Sequence, residues 1–146
     1  MATKRTGISR DLIIHPGETI ADVLEERGIT QAELAARTDV SSAYVSSVIA
    51  GKRNISSKFA MALEYALDVP KSFWLNLQAN YEAELLELNE TDTVTDEERA
   101  TLQPLRGIIS FLKKRDMIPN NQNREDTVLS LRKIFRMSDI SKLGTL

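Results

Sequence analysis

Apolar positions between residues 16 and 88 recur at helical spacing, in five blocks set apart by short polar punctuation. Pro16, a residue favoured in a first helical turn, opens the first block. Ile20, Val23 and Leu24 then follow at i, i+3, i+4 before Gly28 stops it. Thr30 is placed to cap a second helix, with Glu33 three residues on in capping-box spacing and Leu34 and Ala35 as its buried side. Thr38–Ser41 reads as a tight turn. Ser41 caps a third helix whose Val45, Val48 and Ile49 face inward and which Gly51 ends. Ser56 or Ser57 caps a fourth, carrying Phe59, Ala60, Leu63, Ala66 and Leu67. Pro70 opens a fifth, whose stripe of Phe73, Trp74, Leu77, Tyr81, Leu85 and Leu88 runs into an acidic segment. No alternating strand pattern and no internal repeat interrupts this series, so the predicted class is all-α.

Residues 89–96 are polar and lack apolar periodicity, which makes them the expected boundary. The chain then divides into a flexible arm over 1–14, a helical domain over 15–90 and a small helical extension over 91–146. In the extension, Leu102, Leu105, Ile108, Ile109 and Leu112 form one stripe, and Pro119–Asn123 forms a loop. Asp126 or Thr127 opens a second helix carrying Val128, Leu129, Leu131, Ile134 and Phe135. Ser138–Leu143 suits a last short turn. Two or three helices are few for a core of their own, so the extension is expected to dock on another surface.

The composition removes whole classes of chemistry. With 146 residues, no cysteine and one histidine, the chain offers no disulfide, no Cys-ligated metal, no thiol nucleophile and no histidine cluster. No buried, spaced carboxylate dyad can be argued, so no catalytic residue, metal or cofactor is expected. The basic N-terminal stretch lacks a following apolar run, and no run approaches the roughly 20 residues that cross a bilayer. A cytoplasmic protein with no membrane contact is expected.

A net charge of −2 at first speaks against a nucleic-acid partner. The distribution changes that. Residues 82–98 hold eight acids and no base, whereas residues 99–146 hold ten bases and four acids. Between Thr30 and Lys58, Arg37, Lys52, Arg53 and Lys58 face only Glu33 and Asp39. The global acidity comes from one belt and leaves the second and third helices mildly basic.

Those two helices have the spacing of a helix-turn-helix. Ala35 is small where two helices must cross closely, and Val40 plugs the turn. Ser41 orders the first turn of the third helix, and Val45 and Val48 anchor it from beneath. Ser42, Ala43, Tyr44, Ser46 and Ser47 are left for solvent or a major groove. Gln31 sits where a side-chain amide and helix N–H groups can hold a phosphate. Lys52 and Arg53 follow the recognition helix and can grip the same backbone. A five-helix bundle that binds no DNA shows much of the same spacing.

Residues 15–82 resemble the HigA-like antitoxins of the XRE, or phage repressor-like, helix-turn-helix superfamily. The resemblance rests on His15-Pro-Gly-Glu18, Gly28-Ile-Thr-Gln-Ala-Glu-Leu-Ala35, Val45-Ser46, Gly51-Lys-Arg53 and Ala62-Leu63. Above all it rests on Phe73-Trp-Leu-Asn-Leu-Gln78 with Tyr81. It implies a five-helix lambda-repressor-like domain that forms a homodimer, binds palindromic operator DNA, represses its own operon and neutralises a cognate toxin, an RNase of the HigB/RelE type. Carried over, the phosphate-contacting position is Gln31, and the base-reading positions are Ser42, Ala43, Tyr44, Ser46 and Ser47 beside the Ser41 cap. The basic pair is Lys52 and Arg53, and Phe73, Trp74, Leu77 and Tyr81 fall on core or dimer positions. Two departures stand out. Asp39 occupies a turn position that is often Gly, and Ser42 and Ala43 replace the Arg or Gln often found outward. Bidentate Arg–guanine readout is therefore not expected from these positions.

The extension loosely resembles the connector of helix-turn-helix regulators joined to ImmA/IrrE-type metallopeptidase-like domains, through Ile109–Ile118 and Asp126–Ser138. No His-Glu-x-x-His zinc signature is present. The alternative function is thus a protein-interaction module of such a regulator. His15 is expected as a capping or packing residue. The acids of 82–98 read as a solvated helix end and linker, and Arg124, Arg132, Lys133 and Arg136 as a solvent face.

Overall fold

The computed structural model describes residues 12–145, so the first eleven residues of the expected arm lie outside the described residues. All regular structure among them is helical: α1 Pro16–Arg27, α2 Gln31–Thr38, α3 Ser42–Ile49, α4 Ser57–Leu67, α5 Lys71–Leu88, α6 Asp96–Thr101, α7 Arg106–Lys114 and α8 Arg124–Phe135. Short 3-10 turns lie at Glu90–Thr93 and Ile140–Thr145. The chain forms two compact units, which divide between Leu85 and Leu86.

In the first unit, helix boundaries follow side-chain caps. Thr30 accepts from Glu33 N at 3.0 Å, Ser41 from Tyr44 N at 3.0 Å and Ser56 from Phe59 N at 3.1 Å. Each bond satisfies an N–H group that has no partner within its helix. Ser56, not Ser57, is therefore the α4 cap. The capping box expected at α2 is only half made. The Glu33 carboxylate swings to Arg37 at 2.5 Å, because an i,i+4 guanidinium offers a charged donor. Gly28 ends α1 at φ 68°. Asp39 takes the left-handed conformation at φ 59°, as its place in the turn requires.

The core of this unit gathers Ile20, Leu24, Leu34, Ala35, Val45, Val48, Ile55, Phe59, Ala60, Leu63, Leu67 and Trp74. Leu77 packs against it half-buried, and Tyr81 is also half-buried. Phe73 departs from the expected stripe. It is 42% exposed and meets Trp74 edge-on, with ring centroids 5.1 Å apart. Its place near the start of α5 turns it past the core that Trp74 enters.

The second unit corrects the expected extension in four respects. It has a core of its own, formed by Val94, Ile109, Leu112, Ile118, Val128, Leu129, Leu131 and Ile140. The stripe from Leu102 to Leu112 is split, with α6 ending at Thr101 and α7 beginning at Arg106. Helix α8 begins at Arg124, earlier than either expected start, because Asn123 accepts from Asp126 N at 2.8 Å and caps it. Finally, the acidic stretch is structured rather than a bare linker. Thr95 and Glu98 form a reciprocal capping box at the head of α6.

That box leads to a buried ion pair. Glu98 is 1% exposed and accepts from Arg132 Nε at 2.9 Å, Arg132 Nη2 at 2.6 Å and Ile140 N at 3.0 Å. Arg132 also donates to the Thr93 hydroxyl at 3.0 Å. Neither residue belongs to the solvated faces expected for them. The guanidinium, mainly by its hydrogen bonds, holds the Glu98 carboxyl below its usual range.

Candidate nucleic-acid interface

Helices α2 and α3 meet through the turn at Asp39, which places the N-terminal half of α3 at the surface. Val45 and Val48 are 1% and 0% exposed and pin its inner side. Ser41, Ser42, Ala43 and Ser46 are exposed on the outer side, as is Gln31 in the first turn of α2. Lys52 and Arg53 are exposed in the loop that follows.

Two of the expected reading residues are less open. Tyr44 is half-buried, and its ring meets the buried Phe59 edge-on at 5.2 Å. The Ser47 hydroxyl donates to Tyr44 O at 2.7 Å, a bond within the helix that the sequence position does not reveal. It also accepts from Arg53 Nε at 3.2 Å, and the Arg53 guanidinium lies 4.7 Å from the centroid of the Tyr44 ring.

Two further residues hold this surface in place. Gly17, in the first turn of α1, lies so close to the end of α3 that a Cβ there would fall 2.1 Å from Val48 O and 2.9 Å from Ile49 Cα. Only glycine allows the two backbones that approach. Gln78 of α5 is 5% exposed. Its Oε1 accepts from Ile55 N at 2.8 Å, and its Nε2 donates to Glu82 at 3.0 Å. A buried amide thereby fixes the loop that carries Lys52 and Arg53. Both residues lie in the strings that carry the family resemblance, but spacing alone assigns neither this task.

His15 is the N-cap of α1. Its Nδ1 accepts from Gly17 N at 2.9 Å, and its ring meets Tyr81 edge-on at 4.7 Å. Burial lowers its pKa below the ordinary 6.5, against the raising influence of Asn54 and Glu18. Among the described residues no cluster of His, Cys, Asp or Glu could hold a metal ion. No helix there is long and apolar enough to cross a membrane.

Comparison with known proteins agrees with this geometry. A helix-turn-helix family model matches residues 20–74. Virulence-associated protein A' of Dichelobacter nodosus is 44% identical over 69 residues, which are 47% of this chain and 60% of that relative. The matched region thus spans less than two thirds of the curated relative. The structure of the Pseudomonas aeruginosa antitoxin HigA with the higBA promoter is 35% identical, with a TM-score of 0.51, and covers 55% of this chain and 89% of that one. An addiction module antidote protein of the HigA family from Coxiella burnetii is 28% identical with a TM-score of 0.51, covering 57% of this chain and 96% of that one. These matches identify a helix-turn-helix regulator rather than an enzyme. The chain belongs to the HigA-like antitoxin family of XRE-type helix-turn-helix proteins.

Proposed function

We propose that this chain is a homodimeric repressor of its own operon that also neutralises a HigB/RelE-type toxin, acting in the cytoplasm. The observation that carries the DNA half is the outer strip of α3. Ser42, Ala43 and Ser46 stand open on a helix pinned from beneath, with Gln31 on α2 and Lys52–Arg53 in the following loop. Hydroxyls and a methyl group suit base edges in a major groove, and the flanking amide and Lys52 suit phosphates. The P. aeruginosa relative, solved with its promoter, supports the same use of the domain. Two such helices in a dimer would enter major grooves about one helical turn apart.

The toxin half rests on the family and on the acids of 82–98. Glu98 is committed to Arg132, so a basic toxin face would meet exposed acids of the second unit such as Asp92 and Glu97. Gel shifts against the DNA upstream of the chain's own reading frame test the repressor. Inhibition of the ribonuclease encoded beside it tests the antitoxin.

A further inference from the structure

We infer that Arg53, from the loop after the recognition helix, reads a guanine in the operator and is the main determinant of sequence preference. This rests on the DNA-binding role proposed above and names the group that confers its specificity. The outer side of α3 carries no arginine of its own: its exposed positions are Ser42, Ala43 and Ser46. Arg53 fills that gap from outside the helix. Its guanidinium lies 4.7 Å from the centroid of the Tyr44 ring, and Tyr44 is itself backed by the buried Phe59 at 5.2 Å. Its Nε donates to Ser47 Oγ at 3.2 Å. The Ser47 hydroxyl spends its proton on Tyr44 O at 2.7 Å, so its oxygen is oriented as an acceptor for Arg53.

The guanidinium is thus held on two sides, by Tyr44 and Ser47 of the helix whose outer face would meet base edges. With Nε engaged, the two terminal nitrogens have no partner among the described residues. Their fork matches the O6 and N7 acceptors of guanine, and a stacked planar group loses less freedom when it binds. Lys52 is exposed beside it but makes no such side-chain contact among the described residues, which leaves it the ordinary task of a phosphate contact.

The test is selection of duplexes from a random pool by the full chain and by Arg53→Lys, followed by fluorescence anisotropy on the selected and a scrambled duplex. The inference predicts one guanine per half-site in the wild-type consensus that Arg53→Lys no longer selects. It also predicts a fall of about 5- to 150-fold in the ratio of selected to scrambled affinity. Affinity for the scrambled duplex and the salt slope should hold, because the charge is kept. Ser47→Ala should lower the same ratio in the same direction, and 7-deazaguanine at that position should reproduce the loss with the wild-type chain. An unchanged consensus, or equal weakening on both duplexes, would make Arg53 a phosphate contact and overturn the inference while leaving DNA binding intact. Failure of the wild-type chain to select any duplex would overturn both.

Discussion

Glu98 and Arg132, 34 residues apart in sequence, form a bidentate pair in the core of the second unit, with Nε and Nη2 of the arginine at 2.9 and 2.6 Å from the carboxylate. The carboxylate also receives Ile140 N at 3.0 Å and so ties the last 3-10 turn to α6 and α8. Replacing one partner of such a pair leaves a charge buried and unmatched. Arg132→Ala, which strands the 1% exposed Glu98 carboxylate, is expected to destabilise the second unit by about 3–5 kcal/mol. Replacing both, as Glu98→Leu with Arg132→Met, should recover most of that loss. Chemical denaturation monitored by amide exchange within α8 measures both variants.

Acid should act on the two units in different pH windows. His15 titrates below its ordinary 6.5 because burial penalises its cation. Its contribution to stability is present above that value and is lost as pH falls below it, since the unfolded chain takes the proton more readily. Glu98 titrates below its ordinary 4.5, so its contribution persists to lower pH and is lost beneath that value. Histidine and amide NMR signals followed from pH 8 to pH 3 should show the first unit weakening before the second. His15→Asn keeps a capping acceptor and should remove the first phase alone.

Gly17→Ala should be costly although it adds only one methyl group. The added carbon would sit 2.1 Å from Val48 O and force α1 away from the end of α3. A penalty of about 1–3 kcal/mol follows from overpacking, which is a drop of several degrees in thermal melting. The same shift would tilt the recognition helix, so DNA affinity should fall even well below the new melting temperature.

Gln78→Leu separates loop positioning from core packing. The leucine keeps most of the volume but leaves Ile55 N without its acceptor. A buried N–H left unpaired costs about 1–3 kcal/mol. The loop carrying Lys52 and Arg53 should loosen, seen as faster amide exchange at Ile55 and weaker DNA binding.

What the sequence discloses follows the range of the interaction. Thr30, Ser41 and Ser56 are legible because a cap bonds an N–H three residues away, and the apolar periodicity of α1 to α4 needs only one turn of lookahead. Gln78 and Glu98 are not legible in this way. Their partners, Ile55 and Arg132, lie 23 and 34 residues off, and pairing at that distance is decided by packing. The Thr95-Asp-Glu-Glu98 box is as local as the Ser41 cap, yet the density of acids around it reads as linker until Arg132 neutralises one of them. The core of the second unit is drawn from α7, α8, the last 3-10 turn and two loop positions, Val94 and Ile118, so no single stripe announces it. At the interface, the outer residues of α3 are set by helix phase and can be named in advance. The bonds joining Ser47, Tyr44 and Arg53 depend on how the following loop folds back, and spacing is silent on that.

Operator recognition is measured by an anisotropy titration of the full chain. It sets DNA from upstream of its own reading frame against a scrambled duplex across a range of salt. Tighter binding to the upstream duplex is expected, with log affinity falling linearly in log salt by about 0.9 per phosphate neutralised. Lys52→Ala should flatten that slope by about one unit on both duplexes. Equal binding to the two duplexes, or none at low salt, would contradict operator recognition.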